Sequence, residues 1–238
     1  MFSLPRIPLI EDLTTGTVPA GSNLLVEFDP SSQWYNASIT IAAGWLRSGG
    51  KVSYLAGSHP PDEVRERLTT LGLKPEALEE ADQLWITDMY TAGVTGQKSK
   101  EKFAVDSLKV ADMSIWMGKE VTHEPPAPEF LIIDDNTSKM DRFNEEKNWI
   151  ELMLSRVLPM AKRRHITQFI SILAGGVHTP WAYKQLEVAA DGIVDFKLED
   201  RNNETVNLIR IRNMRNIRFD SKWHILRMGE NFEVTLEK

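Results

Sequence analysis

Short apolar runs alternate with helix-like segments up to about residue 190 of this chain. A run that is apolar on both faces, such as FLIIDD, is typical of a strand inside a parallel sheet covered by helices. From Asp191 onward the apolar period drops to two, which indicates antiparallel strands. The pattern predicts an α/β fold, with a mostly parallel central sheet flanked by helices and antiparallel C-terminal strands. Helices are predicted at 37–47, 61–73, 101–117, 144–164 and 181–189, and a loop at 90–100.

The chain contains no linker and no internal repeat, so residues 1–238 are interpreted as one domain. Residues 1–22 form an N-terminal approach segment, and residues 191–238 form a C-terminal β extension. The net charge of -6 argues against a dominant nucleic-acid surface. The absence of cysteine excludes disulfides and thiolate sites, and the five histidines are dispersed, so no metal is expected. Without a signal peptide or membrane-spanning run, a cytoplasmic location is expected.

The stretch VEFDPSSQWYNAS places a tight polar turn between a strand and a helix. This order usually builds a phosphate-binding loop, in which glycines allow backbone N–H groups to surround phosphates and a lysine reaches the terminal ones. The turn here contains no glycine and no lysine. It therefore raises the question whether the chain has a nucleotide site or only the scaffold of one.

Five segments in order resemble the RecA superfamily, and within it the archaeal single-domain KaiC-like proteins and RadA paralogues. They are LTTGTVPAGSNLLV, the strand and helix KVSYLAGSHPPDEVRERLTTLGL, FLIIDD at the Walker B position, AADGIVDFKLED, and the LIRIRNMR and KWHIL strands. The resemblance covers nearly the whole chain. It implies a RecA-like P-loop NTPase fold.

The Walker A loop of that family, G-x-x-x-x-G-K-[ST], is degenerate in this chain. Without gaps, its two glycines fall on Phe28 and Gln33, its lysine on Trp34 and its hydroxyl residue on Tyr35. Phe28 and Gln33 resist glycine-only backbone angles, and the two aromatic residues bring bulk where charge and a magnesium ligand are needed. The complete degenerate loop consists of Phe28, Asp29, Pro30, Ser31, Ser32, Gln33, Trp34 and Tyr35.

Two further functional positions of the family are also altered. The glutamates that activate the attacking water are replaced by Ser58 and His59. The family also has a C-terminal lysine-methionine-arginine signature, and the resemblance implies that its lysine and arginine reach a neighbouring subunit's nucleotide. In this chain the lysine is replaced by Asn213, whereas Met214 and Arg215 remain. Losses at three separate places favour coordinated decay of nucleotide hydrolysis.

The resulting hypothesis is a catalytically inactive protein, without a cofactor, that works as a regulatory or scaffolding subunit. Its expected partner is another protein or an active KaiC-like relative, and a monomer or homodimer is expected rather than a hexamer. One alternative is an unorthodox binder of Mg-ATP, a signalling ATPase that uses Asp134 and Arg215. Another is a DNA-repair accessory like the RadA paralogues.

Several side chains keep two interpretations at this stage. Trp34 and Tyr35 either fill the emptied nucleotide pocket or present a recognition surface. Asp134 and Asp135 either cap backbone N–H groups or hold a metal with Ser58 or His59. The loop GGVHTPW is expected to be flexible because of its two glycines.

Alternating arginines near the C-terminus suggest a surface for a partner. Arg210 and Arg212 lie on one face of a predicted strand, and Arg215 and Arg218 lie in the turn after it. These four residues either bind a partner or a second copy of the chain, or they are simply exposed to solvent.

Overall fold

The computed structural model describes residues 4–94, 97–105, 107, 109–121, 127–135, 145–201 and 203–237, without the side chains of 116–121. The predicted HEPPAPE connector lies largely outside these residues. All strands of the described chain belong to one ten-stranded sheet. They are β1 (Asn23–Phe28), β2 (Lys51–Ala56), β3 (Leu84–Asp88), β4 (Phe103–Ala104), β5 (Phe130–Asp134), β6 (Thr167–Leu173), β7 (Gly192–Arg201), β8 (Glu204–Met214), β9 (His224–Met228) and β10 (Val234–Leu236).

The strand order is β10-β9-β8-β7-β1-β6-β5-β2-β3-β4. All pairings from β7 to β4 are parallel, whereas β8, β9 and β10 add in antiparallel fashion. The predicted mostly parallel sheet with an antiparallel C-terminal extension is therefore confirmed.

Helices cover both faces of this sheet. The structure adds two short helices that the sequence did not predict, α3 and α4, and α5 begins later than expected because residues 103–104 form a strand. The long helix predicted at 144–164 begins at Glu146, beyond the undescribed residues, and contains a π-helical turn at Met153–Val157. The helices are α1 (Trp34–Arg47), α2 (Pro61–Thr70), α3 (Pro75–Glu80), α4 (Tyr90–Val94), α5 (Val110–Val121), α6 (Glu146–Leu152), α7 (Leu158–Arg163) and α8 (Pro180–Ala189).

Two apolar cores lie on opposite sides of the sheet. One contains side chains of α1 and α2, such as Trp45 and Leu68, and the other contains side chains of α6 and α8, such as Trp149 and Leu186. Ten of the fourteen residues of α1 are buried, so this helix packs against neighbours on nearly all sides. At Gly44 an added Cβ would lie 2.3 Å from the Cγ of Pro8, so glycine allows the N-terminal segment to approach α1 closely.

The N-terminal approach segment is hydrogen-bonded to the C-terminal extension. Thr14 and Phe219 form an isolated antiparallel bridge. The backbone N–H of Thr15 donates to the carbonyl of Arg218 over 2.9 Å, and that of Asp220 donates to the carbonyl of Leu13 over 2.8 Å. The interpretation of residues 1–238 as one domain stays a prediction, and these contacts are consistent with it.

The carboxyl ends of the parallel strands meet at one edge of the sheet. Phe28 at the end of β1 pairs with Leu173 at the end of β6 and with Phe196 of β7. Asp134 at the end of β5 pairs with Leu55 near the end of β2. In open α/β sheets this edge is where ligands bind, and the turn after β1 lies there.

Candidate functional site

The turn after β1 is tied to β7 and leads directly into α1. The backbone N–H of Asp29 donates to the carbonyl of Phe196 over 2.9 Å, and the Asp29 carboxylate accepts from the N–H of Leu198 over 3.1 Å. Ser31 has φ of 66°, a left-handed conformation that costs free energy for a residue with a side chain. The helix begins at Trp34 rather than at the predicted Ala37, so both aromatic residues belong to its first turn.

Trp34 is directed into the protein interior. Its side chain is 1% exposed, and its indole N–H donates to the backbone carbonyl of Asp135 over 3.0 Å. Three aromatic rings surround the indole, with centroids 6.4 Å away for Phe28, 6.1 Å for Phe169 and 5.2 Å for Phe196. A side chain buried in this way does not present a recognition surface, and its place is in the apolar core.

Tyr35 connects the turn after β1 to the turn after β2. Its ring stacks on that of His59, with centroids 3.7 Å apart and planes at 25°. The Tyr35 hydroxyl is buried and has no hydrogen-bond partner among the described residues. Burial, reinforced by the nearby carboxylates of Glu63 and Asp135, raises the pKa of this hydroxyl.

A cleft of about 380 Å³ remains open beside this turn, and we call it the β1 cleft. Because Trp34 is packed inward, its side chain does not fill this space. The described residues that line the cleft include one carboxylate and no lysine or arginine. The lining consists of Phe28, Pro30, Ser31, Ser32, Trp34, Tyr35, Ser58, His59, Asp135 and Leu173.

Asp135, and not Asp134, lies at the β1 cleft. The Asp135 Oδ1 accepts hydrogen bonds from the backbone N–H groups of Gly57, over 2.7 Å, and Ser58, over 2.9 Å. Asp134 borders an apolar cavity on the other face of the sheet, because successive side chains of β5 point to opposite faces. The choice of Asp134 as a residual nucleotide ligand is thereby corrected.

The metal interpretation of the two aspartates gains no support from this geometry. The Asp135 carboxylate caps backbone N–H groups, as one of the two interpretations expected. Within the part of the chain that the structure describes, no group of three or more histidine, aspartate or glutamate side chains could hold a metal ion.

Arg210 and Arg212 are engaged by carboxylates of their own chain. Arg212 pairs with Glu27 over 2.7 Å, with Asp195 over 2.8 Å and with Glu187 over 2.5 Å. Arg210 also pairs with Asp195, over 2.7 Å. Both guanidinium groups are about one-third exposed, so a partner would meet them with their charges already compensated.

The other two arginines lie further along the chain and are exposed. The Arg215 Nη2 donates to the backbone carbonyl of Val188 at the end of α8 over 2.7 Å. The side chain of Arg218 is exposed in the turn after β8. Both side chains are more exposed than those of the ion-paired Arg210 and Arg212.

Arg215 lies at the sheet edge opposite to the β1 cleft. Its neighbour Met214 pairs with Gly192, and Gly192 pairs with Leu24 near the start of β1. Within one subunit, Arg215 therefore cannot join Asp134 or the turn after β1 in a nucleotide site. The same holds for Asn213, which is paired with Ile193.

Glu146 holds the loop after β6 in place, and no sequence pattern indicated this role. The Glu146 carboxylate accepts from the backbone N–H of Thr179 over 2.9 Å and from its hydroxyl over 2.5 Å, and lies 3.1 Å from the Nδ1 of His178. His178 is 4% exposed. Gly175 and Gly176 have φ of 89° and 91°, a conformation in which glycine is strongly favoured. The two glycines, from which flexibility was expected, here allow backbone angles that other residues rarely adopt.

The parallel sheet, the turn after β1 and the antiparallel extension define a RecA-like ATPase fold. The family model described as "ATPase: KaiC" matches residues 7–235, and the chain belongs to this family. Among the described residues, no helix is both long and apolar enough to cross a membrane.

Two relatives and one solved structure are similar to this chain over most of its length. A UPF0273 protein of Aeropyrum pernix is 22% identical over 230 residues, which are 96% of this chain and 88% of that protein. A UPF0273 protein of Pyrococcus horikoshii is 22% identical over 218 residues, covering 92% and 87% of the two chains. The crystal structure of a KaiC-like protein from Pyrococcus horikoshii superposes with a TM-score of 0.75 at 17% identity, covering 100% of this chain and 99% of that one.

Proposed function

We propose that this chain is a KaiC-family protein that does not hydrolyse ATP and acts as a regulatory or scaffolding binding partner. The observation that carries the proposal is Trp34. The family's phosphate-binding lysine has become an indole that is 1% exposed and packed among three phenylalanines. No cation therefore replaces that lysine at the start of α1.

The charge of the β1 cleft argues against a bound triphosphate. The Asp135 carboxylate lies in its lining, without a lysine or arginine from the described residues. The raised pKa of Tyr35 means that negative charge is disfavoured at the cleft wall. A polyphosphate at the same wall would meet the same burial and the same neighbouring carboxylates.

The residues that would activate water are also unsuitable. Ser58 and His59 line the cleft, where the family has glutamates. The Asp135 Oδ1 is already occupied by two backbone N–H groups, so this oxygen is poorly placed to act as a general base. These contacts support the absence of hydrolysis.

A binding role is supported by the exposed face of α8. Trp181 and Val188 are seven positions apart on this helix, on one face, and are 43% and 72% exposed. Val177, in the preceding loop, is 46% exposed. Exposed aromatic residues are frequent anchors of protein interfaces. The exposed Arg215, bonded to the carbonyl of Val188, extends this surface.

Calorimetric titration and thermal unfolding with Mg-ATP and Mg-ADP test the proposal. We expect no binding heat and an unchanged unfolding temperature. A ligand at a hundredfold excess over its Kd would raise stability by about 2.7 kcal/mol. A KaiC-family ATPase with an intact Walker A loop is the positive control. Such a stabilisation in this chain would contradict the proposal.

One observation favours a second candidate, an unorthodox nucleotide binder. The β1 cleft has about 380 Å³ of open space at the edge where this fold class binds ligands. The same titration decides between the two candidates. Binding of Mg-ATP without turnover would select the second.

A further inference from the structure

The β1 cleft has the size of a ligand site. Its volume of about 380 Å³ falls within the roughly 300–1,000 Å³ of small-molecule pockets. The cleft lies between the turn after β1 and the turn after β2, and the Tyr35–His59 stack joins these two turns. The space is therefore open between two turns that are in contact through this stack.

Among the residues that the structure describes, the charges around this space are mostly negative. The charges that act most strongly on the Tyr35 hydroxyl are those of Glu63, Asp135, Arg67 and Glu66, three carboxylates and one guanidinium. That guanidinium is engaged elsewhere, since Arg67 lies over the ring of Phe232 at 3.8 Å from its centroid. A cation entering the cleft would be attracted, whereas an anion would be repelled.

The cleft wall also offers hydrogen-bond acceptors that are not in use. The Ser32 Oγ and the Tyr35 Oη are both buried and have no hydrogen-bond partner among the described residues. Such groups are costly to leave unpaired, and their presence beside a cavity points to a ligand that satisfies them. The Asp135 carboxylate is fixed in direction by its bonds to Gly57 and Ser58.

We infer that the β1 cleft binds an organic cation, a guanidinium or ammonium group carried by a small molecule or by a basic side chain of a protein partner. Such a group donates several hydrogen bonds from its N–H groups, and hydroxyl and carboxylate oxygens can accept them. The ring of Tyr35, stacked on His59, adds an aromatic wall of the kind that attracts cations. The inference rests on the proposed function, because it requires a cleft that ATP does not occupy.

Two matched pairs of probes test the inference by NMR titration of the intact protein. Butylguanidinium is compared with butylurea, which has nearly the same shape and no charge. An acetylated Gly-Arg-Gly amide is compared with its citrulline counterpart. We expect each cationic probe to bind about tenfold more tightly than its neutral isostere. The amide signals of Ser31, Ser32 and Ser58 should shift.

Variants identify the groups responsible. Asp135→Asn keeps an acceptor for the two backbone N–H groups and should weaken cation binding about tenfold. Tyr35→Phe removes one hydroxyl and should weaken cation binding about threefold. This second variant keeps the test valid if Asp135→Asn fails to fold. Glu76→Gln, an exposed position on α3 outside the lining, is the matched control and should leave binding unchanged.

The outcomes separate this inference from the proposed function. Equal binding of cationic and neutral probes, no shift at millimolar concentration, or binding unaffected by both cleft variants would overturn the inference. Failure of Mg-ATP to bind, together with any of these results, leaves the proposed function standing. Tighter binding of the arginine peptide than of butylguanidinium supports a partner's side chain as the source, and the reverse order supports a small molecule.

Discussion

At the scale of single residues, the burial of Trp34 limits which ligands the turn after β1 can bind. Its indole is enclosed by aromatic rings from β1, β6 and β7 and donates to the carbonyl of Asp135. A side chain held in this way cannot turn outward towards a phosphate without breaking the core. Substitution of a lysine at this position would bury a charge among phenylalanines and would not restore the family's loop.

Trp34→Ala should lower the free energy of unfolding by about 3–5 kcal/mol, because a large buried side chain is replaced by a cavity. Urea denaturation followed by circular dichroism measures this change. Trp181→Ala is the matched control, since Trp181 is 43% exposed and should change stability by less than about 0.5 kcal/mol. Similar losses in both variants would show that Trp34 does not hold the core.

Tyr35 carries a hydroxyl that contributes nothing to the fold. Because its oxygen is buried and unpaired among the described residues, Tyr35→Phe should leave stability at neutral pH unchanged or raise it by up to about 1 kcal/mol. Chemical denaturation near pH 7 measures the difference. A clear loss of stability would indicate that the hydroxyl has a structural partner.

The same variant should change the alkaline stability profile. The pKa of Tyr35 is raised by burial and by nearby carboxylates, so the unfolded chain ionises first as the pH rises through about 10. Stability present below that pH is then lost at about 1.4 kcal/mol per pH unit for each such tyrosine. Tyr35→Phe should reduce this slope by the contribution of one tyrosine. The contribution of the buried Tyr54, whose pKa is also raised, should remain. Denaturation midpoints between about pH 9 and 11 measure the slope.

At the scale of elements, the loop after β6 is fastened to α6 by one carboxylate. Glu146→Ala removes the acceptor for the backbone and hydroxyl of Thr179. Hydrogen bonds to a charged group are worth about 1.5–3 kcal/mol, so amide exchange at Thr179 should accelerate roughly ten- to a hundredfold. Hydrogen exchange detected by NMR measures it. Glu151→Ala, at an exposed position of the same helix, should leave this rate unchanged.

Most elements could be predicted from the sequence because strand and helix periods are strong along this chain. The short helix α4 could not, since YTAGV contains β-branched residues and glycine, which are poor helix formers. Its first turn is held by a local contact, in which the Asp88 carboxylate accepts from the backbone N–H of Thr91 over 2.9 Å. Because Asp88 is also the last residue of β3, its role as a cap depends on where that strand ends.

The candidate site shows the same limit. That the turn after β1 contains neither glycine nor lysine could be read directly from the sequence. The choice between Asp134 and Asp135 could not, because it depends on which face of the sheet each side chain occupies at the strand end. The burial of Trp34 likewise depends on rings that come from two strands distant in sequence, β6 and β7.

At the scale of the whole molecule, no nucleotide is expected to join neighbouring subunits. Arg212 is already neutralised by Glu27, Asp195 and Glu187 within its own chain. We expect a monomer or dimer in sedimentation velocity experiments, with the same distribution with and without Mg-ATP. A hexamer that forms only with Mg-ATP would contradict both this expectation and the proposed function.

The position of β1 in the sheet has a consequence for biosynthesis. This strand is synthesised before the other strands of the sheet, yet its two neighbours, β6 and β7, come more than a hundred residues later in the chain. At typical synthesis rates of about 5–20 residues per second, the apolar NLLVEF segment waits on the order of ten seconds with both edges unpaired. Over that interval its protection must come from α1 and the nascent N-terminal segment, or from a chaperone that recognises exposed strands.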